Sequence, residues 1–400
     1  MSIYEEHNIP TLINAAGEKT WLGGSQMPPE VLAAIKEASE SYATIQDVEA
    51  GASELISEIT GSEAGYVSSG AAAGITLATA ACITGMDVEK MNELPDTEGT
   101  SAEVVIPKSH RNSYDHAVRA AGAQLIEAGL DDVNAGSGTR SVESWEVEAK
   151  IGPDTVAIHA LAKSDNHDFL RELVEISQSH EVPFILDAAA QLPPKKNLQL
   201  FVSMGVDVVV FSGGKAIRGP QGTGIICGTE EIVQSIALQH LDMDVLFDLW
   251  EPPRNLISKE ELPGLPRHGI GRGFKLGKEE IVGVMKALQL YVDRDEEKEL
   301  ARLGKIVERV AEEADQVRGL EAWHLGSEAT GRVPVAEIRV DPDETGIDAF
   351  SLIHKLRKGK PPIYVRSERA EEGMLVVNPS CLKEEEIEIL GKRLQELITA

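Results

Sequence analysis

At 400 residues, 42% hydrophobic and 26% charged, the chain has the composition of a soluble globular protein with room for a large core and about two domains. Its formal net charge of −28 argues against a nucleic-acid partner, because basic residues are what displace counterions from a phosphate backbone. No apolar run approaches the ~20 residues of a membrane span. The N-terminal MSIYEEHNIP has neither the basic nor the apolar part of a secretory signal. The three cysteines, Cys82, Cys227 and Cys381, form no CxxC pair, so no disulfide framework or zinc knuckle is expected, and the expected setting is the cytoplasm.

The chain begins irregularly, with INAAG at 13–17 and LGGS at 22–25. A helix is predicted after Pro28 and Pro29, since proline suits a first turn. Residues 49–60 read as a second helix, with Leu55, Ile56 and Ile59 on one side. Residues 65–70 read as a short strand and turn, and 71–83 as a helix of small residues able to pack closely on a sheet. Strands at 104–106, 124–126, 155–159, 184–186, 206–211 and 224–227 then alternate with helices at 114–121 and 168–179. This alternation predicts an α/β fold with a mainly parallel sheet covered by helices on both faces. Ligands of such sheets sit outside the carboxyl ends of the strands. The polar stretch 87–102 reads as a surface insertion. Residues 242–273, rich in Pro, Arg and Gly, form an irregular segment too long for a simple connector. Ile281, Val284, Met285, Leu288 and Val292 then mark a helix whose charged continuation to Glu313 leads into a smaller α/β layer. That layer has strands at 335–340, 363–366 and 374–378 and helices at 349–357 and 384–399.

The chemistry concentrates in FSGGKAIRGPQGTG, residues 211–224. Lys215 falls just past a buried β-branched strand, among glycines that let the backbone turn and a ligand approach. Asp187 ends the strand 28 residues earlier. A strand-end lysine and a strand-end acid are what pyridoxal 5'-phosphate (PLP) requires: the lysine forms a Schiff base with the aldehyde, and the acid holds the pyridine nitrogen protonated. Apolar surroundings favour the neutral, nucleophilic amine of Lys215. Taken alone, Asp187 has a second reading, as the cap of a following helix. Gln191 either faces the cofactor or caps the segment before Pro193 and Pro194. Ser69, Gly70 and Ala71 open a helix whose free amides suit a phosphate, and Ser212 is a further candidate phosphate ligand. His110, after the strand at 104–106, either stacks on the ring or is an ordinary polar residue. A substrate carboxylate calls for an arginine fork, with Arg366, Arg267, Arg272 and Arg218 as candidates. His268 is either a pocket acid–base group or a loop residue.

Together INAAG, LGGS, SSGAAAGITLATAACITG (68–85), the Asp187 segment, the lysine motif and GRGFKLGKEEIVGVMKAL (271–288) resemble the family of bacterial selenocysteine synthase and its smaller relatives, which include ammonia-lyases of the D-glucosaminate-6-phosphate type. The motifs span about residues 13–290. The resemblance implies the fold type I PLP-dependent transferase fold, with a large sheet domain, a small C-terminal domain and active sites at a homodimer interface. It matches Lys215 to the Schiff-base lysine, Asp187 to the pyridine-nitrogen acid, and Ser69, Gly70 and Ala71 to the phosphate loop. Selenocysteine synthase carries a tRNA-binding region ahead of its INAAG-like motif, whereas twelve residues precede Ile13 here, so the ammonia-lyases fit better. The expected organisation is an N-terminal segment at 1–45, a PLP-binding domain at 46–275, and a bridging helix with the small domain at 276–400. The expected activity is α,β-elimination on a small amino acid or amino-sugar acid. An aminotransferase or racemase, a selenium transferase acting on seryl-tRNA, and a non-catalytic scaffold are the alternatives. A small-molecule substrate, a homodimer or larger homo-oligomer, no membrane and no metal complete the expectation.

Overall fold

The computed structural model describes residues 2–130, 132 and 140–399. Their strands, in chain order, are β1 (Ile13–Ala15), β2 (Ala64–Ser68), β3 (Glu103–Pro107), β4 (Gln124–Ala128), β5 (Thr155–Leu161), β6 (Phe184–Asp187), β7 (Val208–Ser212), β8 (Gly224–Gly228), β9 (Leu320–Leu325), β10 (Val335–Val340), β11 (Ile363–Val365) and β12 (Met374–Val377). The chain divides into two compact units. One comprises Met27–Val292; the other joins Met1–Gln26 to Asp293–Ala400.

The larger unit is built on a seven-stranded sheet of order β2-β8-β7-β6-β5-β3-β4. Only β8 runs against its neighbours, so the other six strands share one direction. Alternation along the strands sorts their side chains onto two faces. Phe184, Leu186, Val209 and Phe211 pack with the helices Ile45–Thr60, His167–His180 and Lys278–Asp293. Ile185, Val208, Val210 and Ile226 pack with the helices Ala71–Thr84 and Glu230–His240. Burial on both faces explains why these strands are nearly continuous apolar runs.

β2 lies at the sheet's edge, and its free amides are met by side chains of the helix Ile45–Thr60. The Ser53 hydroxyl accepts from Gly65 N at 3.0 Å, and a Glu49 carboxyl oxygen accepts from Val67 N at 3.0 Å. This covers an edge that would otherwise offer unpaired donors. Burial raises the Glu49 carboxyl well above its ordinary 4.5, against the lowering effect of the Val67 amide. The folded chain therefore holds a proton that the unfolded chain gives up. That contribution to stability is complete below pH 4.5 and is lost as pH rises through the folded value. Glu49→Gln, which cannot ionise, should flatten this decline in urea unfolding measured from pH 5 to 8 (~1 pH unit steps suffice). Glu49→Leu should cost about 1–3 kcal/mol at every pH by leaving Val67 N–H unpaired. An unchanged pH slope in the glutamine variant would exclude this linkage.

The smaller unit holds an antiparallel sheet, β12-β10-β9, and a parallel pair, β1-β11. Ile13, Ala15, Val307, Ile338, Leu352, Leu375 and Leu390 share its core. The INAAG segment is thus not irregular: Ile13 pairs with Ile363, and Asn378 N donates to Ala15 O at 2.9 Å. Two further expectations change. The stretch 87–102 is not only surface, since it contains the helix Val88–Glu93, which buries Val88 and Met91. The charged continuation of the 281–292 helix is a separate helix, Glu296–Asp315, whose start is set by the Asp295 side chain accepting from Lys298 N.

Candidate active site

Sheet register gathers the candidate residues along one edge of the larger unit. β8 is flanked by β2 and β7, and Gly224 pairs with Ser68 on one side and Ser212 on the other. The turn after Ser68 and the loop after Ser212 therefore leave the sheet as near neighbours. On β6, Asp187 pairs with Val210, and on β5 it meets Leu161. Asp187, Val210 and Ser212 share a face by alternation, the face carrying the helix Ala71–Thr84.

Gly70, at φ +99°, sits at the N-cap of that helix, where an L side chain would be strained. No side chain caps the helix, so its first amides remain available to an anion. The Ser68 hydroxyl donates to Gly70 O at 3.0 Å and fixes the turn. Gly224 lies directly beneath it: a Cβ there would fall 2.6 Å from the Gly70 carbonyl carbon and 2.7 Å from Ala71 N. Gly224→Ala should therefore displace the turn, weaken cofactor uptake about tenfold or more and cost about 1–3 kcal/mol. Fluorescence titration with PLP and thermal melting check both numbers; wild-type affinity in the variant would separate the turn from the cofactor.

The loop bearing Lys215 is tied at its base. Gly213 N donates to Thr223 O at 2.9 Å, Gly219 N to Gly213 O at 2.9 Å, and Arg218 N to Lys215 O at 2.9 Å. Lys215 itself is half-buried between the buried Gly214 and Ala216.

Asp187 is 6% exposed, and one of its oxygens accepts from Ala189 N at 2.9 Å. That bond braces the turn after the strand and caps no helix, since the next one begins at Asn197; it leaves the second oxygen for other use. Gln191 is committed to backbone: its Nε2 donates to Ala162 O at 2.7 Å. His110 is buried after β3, its ring edge-on to Phe169 at 5.6 Å. Its Nδ1 accepts from Leu161 N at 3.2 Å, which places the neutral ring's proton on Nε2. Burial first, then the Lys163 and His159 charges, lowers His110 to about 3, so it stays neutral at working pH.

The arginines divide differently. Arg272 pairs with Asp242 at 2.7 Å, and Arg267 is exposed, its backbone N donating to Asn92. Arg218 is half-buried at φ +64°. Arg366 belongs to the smaller unit, where its Nε donates to Ala16 O at 3.1 Å. His268 pairs with Asp244 at 3.3 Å, near Asp242. The Ser69 and Ser212 side chains are half-buried at the edge. Two residues went unnoticed in the sequence. His159 is 4% exposed on β5 opposite Ile185, on the face of Asp187. Burial lowers it, while the Asp187 carboxylate and the Ile185 carbonyl favour its protonated form. Lys163 follows β5 at the same edge. A polar residue inside or just past an apolar strand, as in HALAK (159–163), was the available signal.

This edge fits PLP. A capless helix N-terminus over the Gly224 cradle suits a phosphate, a buried acid lies two strands from it, and a lysine loop leaves the strand between them. Comparison with known proteins agrees. The pattern of the aminotransferase class-V family matches residues 116–242. D-glucosaminate-6-phosphate ammonia lyase of Salmonella typhimurium is 29% identical over 99% of this chain and 98% of its own. A solved structure of a D-glucosaminate-6-phosphate ammonia-lyase, 28% identical, superposes with a TM-score of 0.80 over 100% of this chain and 98% of that one. A 5'-C-glycyluridine monooxygenase-decarboxylase from a Streptomyces species is 28% identical over 99% of this chain and 92% of its own. An L-seryl-tRNA(Sec) selenium transferase of Geotalea daltonii is 26% identical over 98% and 84%. With the fold, the edge and these likenesses in agreement, the chain is a PLP-dependent enzyme of the fold type I architecture, its residues 116–242 resembling the aminotransferase class-V pattern and its whole length similar to the ammonia-lyase and selenium-transferase group.

Proposed function

We propose that the chain is a PLP-dependent lyase acting by α,β-elimination on a small amino acid or amino-sugar acid with a hydroxyl at Cβ. The observation that carries this reading is full-length likeness to an ammonia lyase, in sequence and in fold. Ser69, Gly70 and Ala71 would receive the cofactor phosphate on backbone amides, with Ser212 beside them. Asp187 would hold the pyridine nitrogen protonated, and His110, neutral, would lie against the ring. When bound, PLP supplies a sink for negative charge at the substrate's Cα.

Lys215 Nζ then has two tasks: it anchors the cofactor, and once displaced by substrate it takes the proton from Cα. Cα loses a proton and Cβ loses hydroxide, together one water. The resulting enamine takes one water back and gives a 2-keto acid and ammonia. We place the enzyme in the cytoplasm as a homodimer or larger homo-oligomer, which light scattering of the purified protein tests. No helix among the described residues is long and apolar enough to cross a membrane.

The test is a panel of hydroxyl-bearing amino acids and amino-sugar acids, with and without phosphate, assayed for ammonia and 2-keto acid. The two products should appear in equal amounts. Amino transfer to an added keto acid, with no ammonia, would replace this reading with an aminotransferase. Salt-sensitive tRNA binding in a mobility-shift experiment would point to selenium transfer instead.

A further inference from the structure

We infer that Lys163 is the residue that receives an anionic group of the substrate; this deepens the lyase reading and rests on it for the position of the site. The placement is built into the turn after β5. Asn166 clamps that turn from both sides: its Nδ2 donates to Leu161 O at 2.9 Å, and its Oδ1 accepts from Lys163 N at 2.9 Å. Asparagine can do this because its amide offers a donor and an acceptor together. The turn is also tied to the residues assigned to the cofactor. Ala162 N donates to Asp187 O at 2.9 Å, Gln191 Nε2 donates to Ala162 O at 2.7 Å, and His110 Nδ1 accepts from Leu161 N at 3.2 Å. Lys163 thus leaves the sheet's carboxyl edge between His110 and Asp187.

Its ammonium is half-buried and reaches back to Ser109 O at 3.3 Å, next to His110. Among the described residues it makes that single hydrogen bond and no ion pair. In a chain of net charge −28, where acids outnumber bases, this lysine is left without a carboxylate partner. The cations flanking His110 are already matched: Lys108 and Arg111 with Glu127, and Arg111 also with Asp115. An ammonium has three donors, and two of Lys163's remain for ligand oxygens. A partly desolvated cation without a carboxylate partner favours an incoming anion more than one already neutralised. Its charge is felt at His110, which it helps to keep neutral. The anion is a carboxylate or a phosphate, since both present the oxygens an ammonium binds.

The probes are serine, serinamide and O-phosphoserine, in both enantiomers, titrated into the PLP-loaded enzyme and followed by the shift of the cofactor's visible band. In Lys163→Met, O-phosphoserine, with or without serine, should bind about tenfold to hundredfold more weakly than in the wild type, with serinamide unchanged. Lys163→Arg should recover most of the loss. An equal loss for serine and O-phosphoserine assigns the carboxylate to Lys163, and a loss confined to O-phosphoserine assigns the phosphate. As a measurement on the unmodified chain, serine or O-phosphoserine should protect Lys163 from acetic anhydride in peptide mass spectrometry, and serinamide should not. The inference is overturned by wild-type affinity for both anions in Lys163→Met. It is equally overturned by disappearance of the cofactor band in that variant, which would assign the lysine to the cofactor, or by a wild-type band that neither anion shifts. Ammonia release is read separately. Anion binding that depends on Lys163 without ammonia would retire the lyase reading and keep this one.

Discussion

Lys215→Ala should lower turnover by about 10⁴-fold or more, since the proposed mechanism gives one side chain both the covalent anchor and the Cα base. The argument starts from the loop. Hydrogen bonds from Gly213 to Thr223, from Gly219 to Gly213 and from Arg218 to Lys215 fix its backbone without using the lysine side chain. Alanine should therefore leave the melting temperature within a few degrees of wild type (roughly 1 kcal/mol or less) while removing the amine. A readout independent of turnover exists. Borohydride should fix the cofactor's mass on the peptide carrying Lys215 in the wild type and on no peptide in the variant. Cofactor trapped on another lysine, or turnover within tenfold of wild type, would end the assignment.

Asp187→Asn comes next in expected effect. The side chain is almost fully buried, and one oxygen is bound to Ala189 N. Asparagine preserves that acceptor and the shape, so the fold should survive. It removes the charge that we propose keeps the pyridine nitrogen protonated. Losing one member of a buried charged pair costs about 3–5 kcal/mol, which corresponds to roughly 10²–10⁴ in turnover if the full amount is felt in the transition state. Asp187→Ala should add about 1–3 kcal/mol of instability by leaving Ala189 N–H unpaired. Steady-state kinetics with urea unfolding on both variants separates charge from scaffold. An asparagine variant within threefold of wild type would remove the acid from the mechanism.

The legible parts of the sequence share a cause. Strands such as Phe184–Asp187 and Val208–Ser212 are buried on both faces, so they appear as unbroken apolar runs with an abrupt polar end. Where the run ends, the chain reaches the carboxyl edge, and the polar residue found there is a candidate. Asp187, Lys215, His110 and the Ser69 turn were visible for that reason. Lys163 and His159 were passed over. Lys163 stands just past the β5 run, where the same signal was available, but nothing local reveals that its neighbours hold no carboxylate for it. His159 lies within a strand, where only pairing with Ile185 puts it on the face of Asp187.

The arginines show the reverse failure. Guanidinium chemistry made Arg272 and Arg267 attractive, but Asp242 holds the first and the second is exposed. Ion pairing between residues 30 positions apart cannot be seen in a linear string. Gln191 was equally open in the sequence; the bond to Ala162 O shows its amide bracing the β5 turn.

By itself, the sequence determined the layered α/β architecture and the cofactor class, and it singled out Asp187 at a strand's end and Lys215 just past another as candidates, because burial and chain direction are written in local patterns of apolar and polar residues. The tertiary structure decided the rest: that Ile13–Ala15 pairs with a strand some 350 residues later, that Gly224 underlies the Gly70 turn, and that Lys163 stands between His110 and Asp187. These depend on strand register and on which partners meet across the sheet, and long-range pairing carries no local signature.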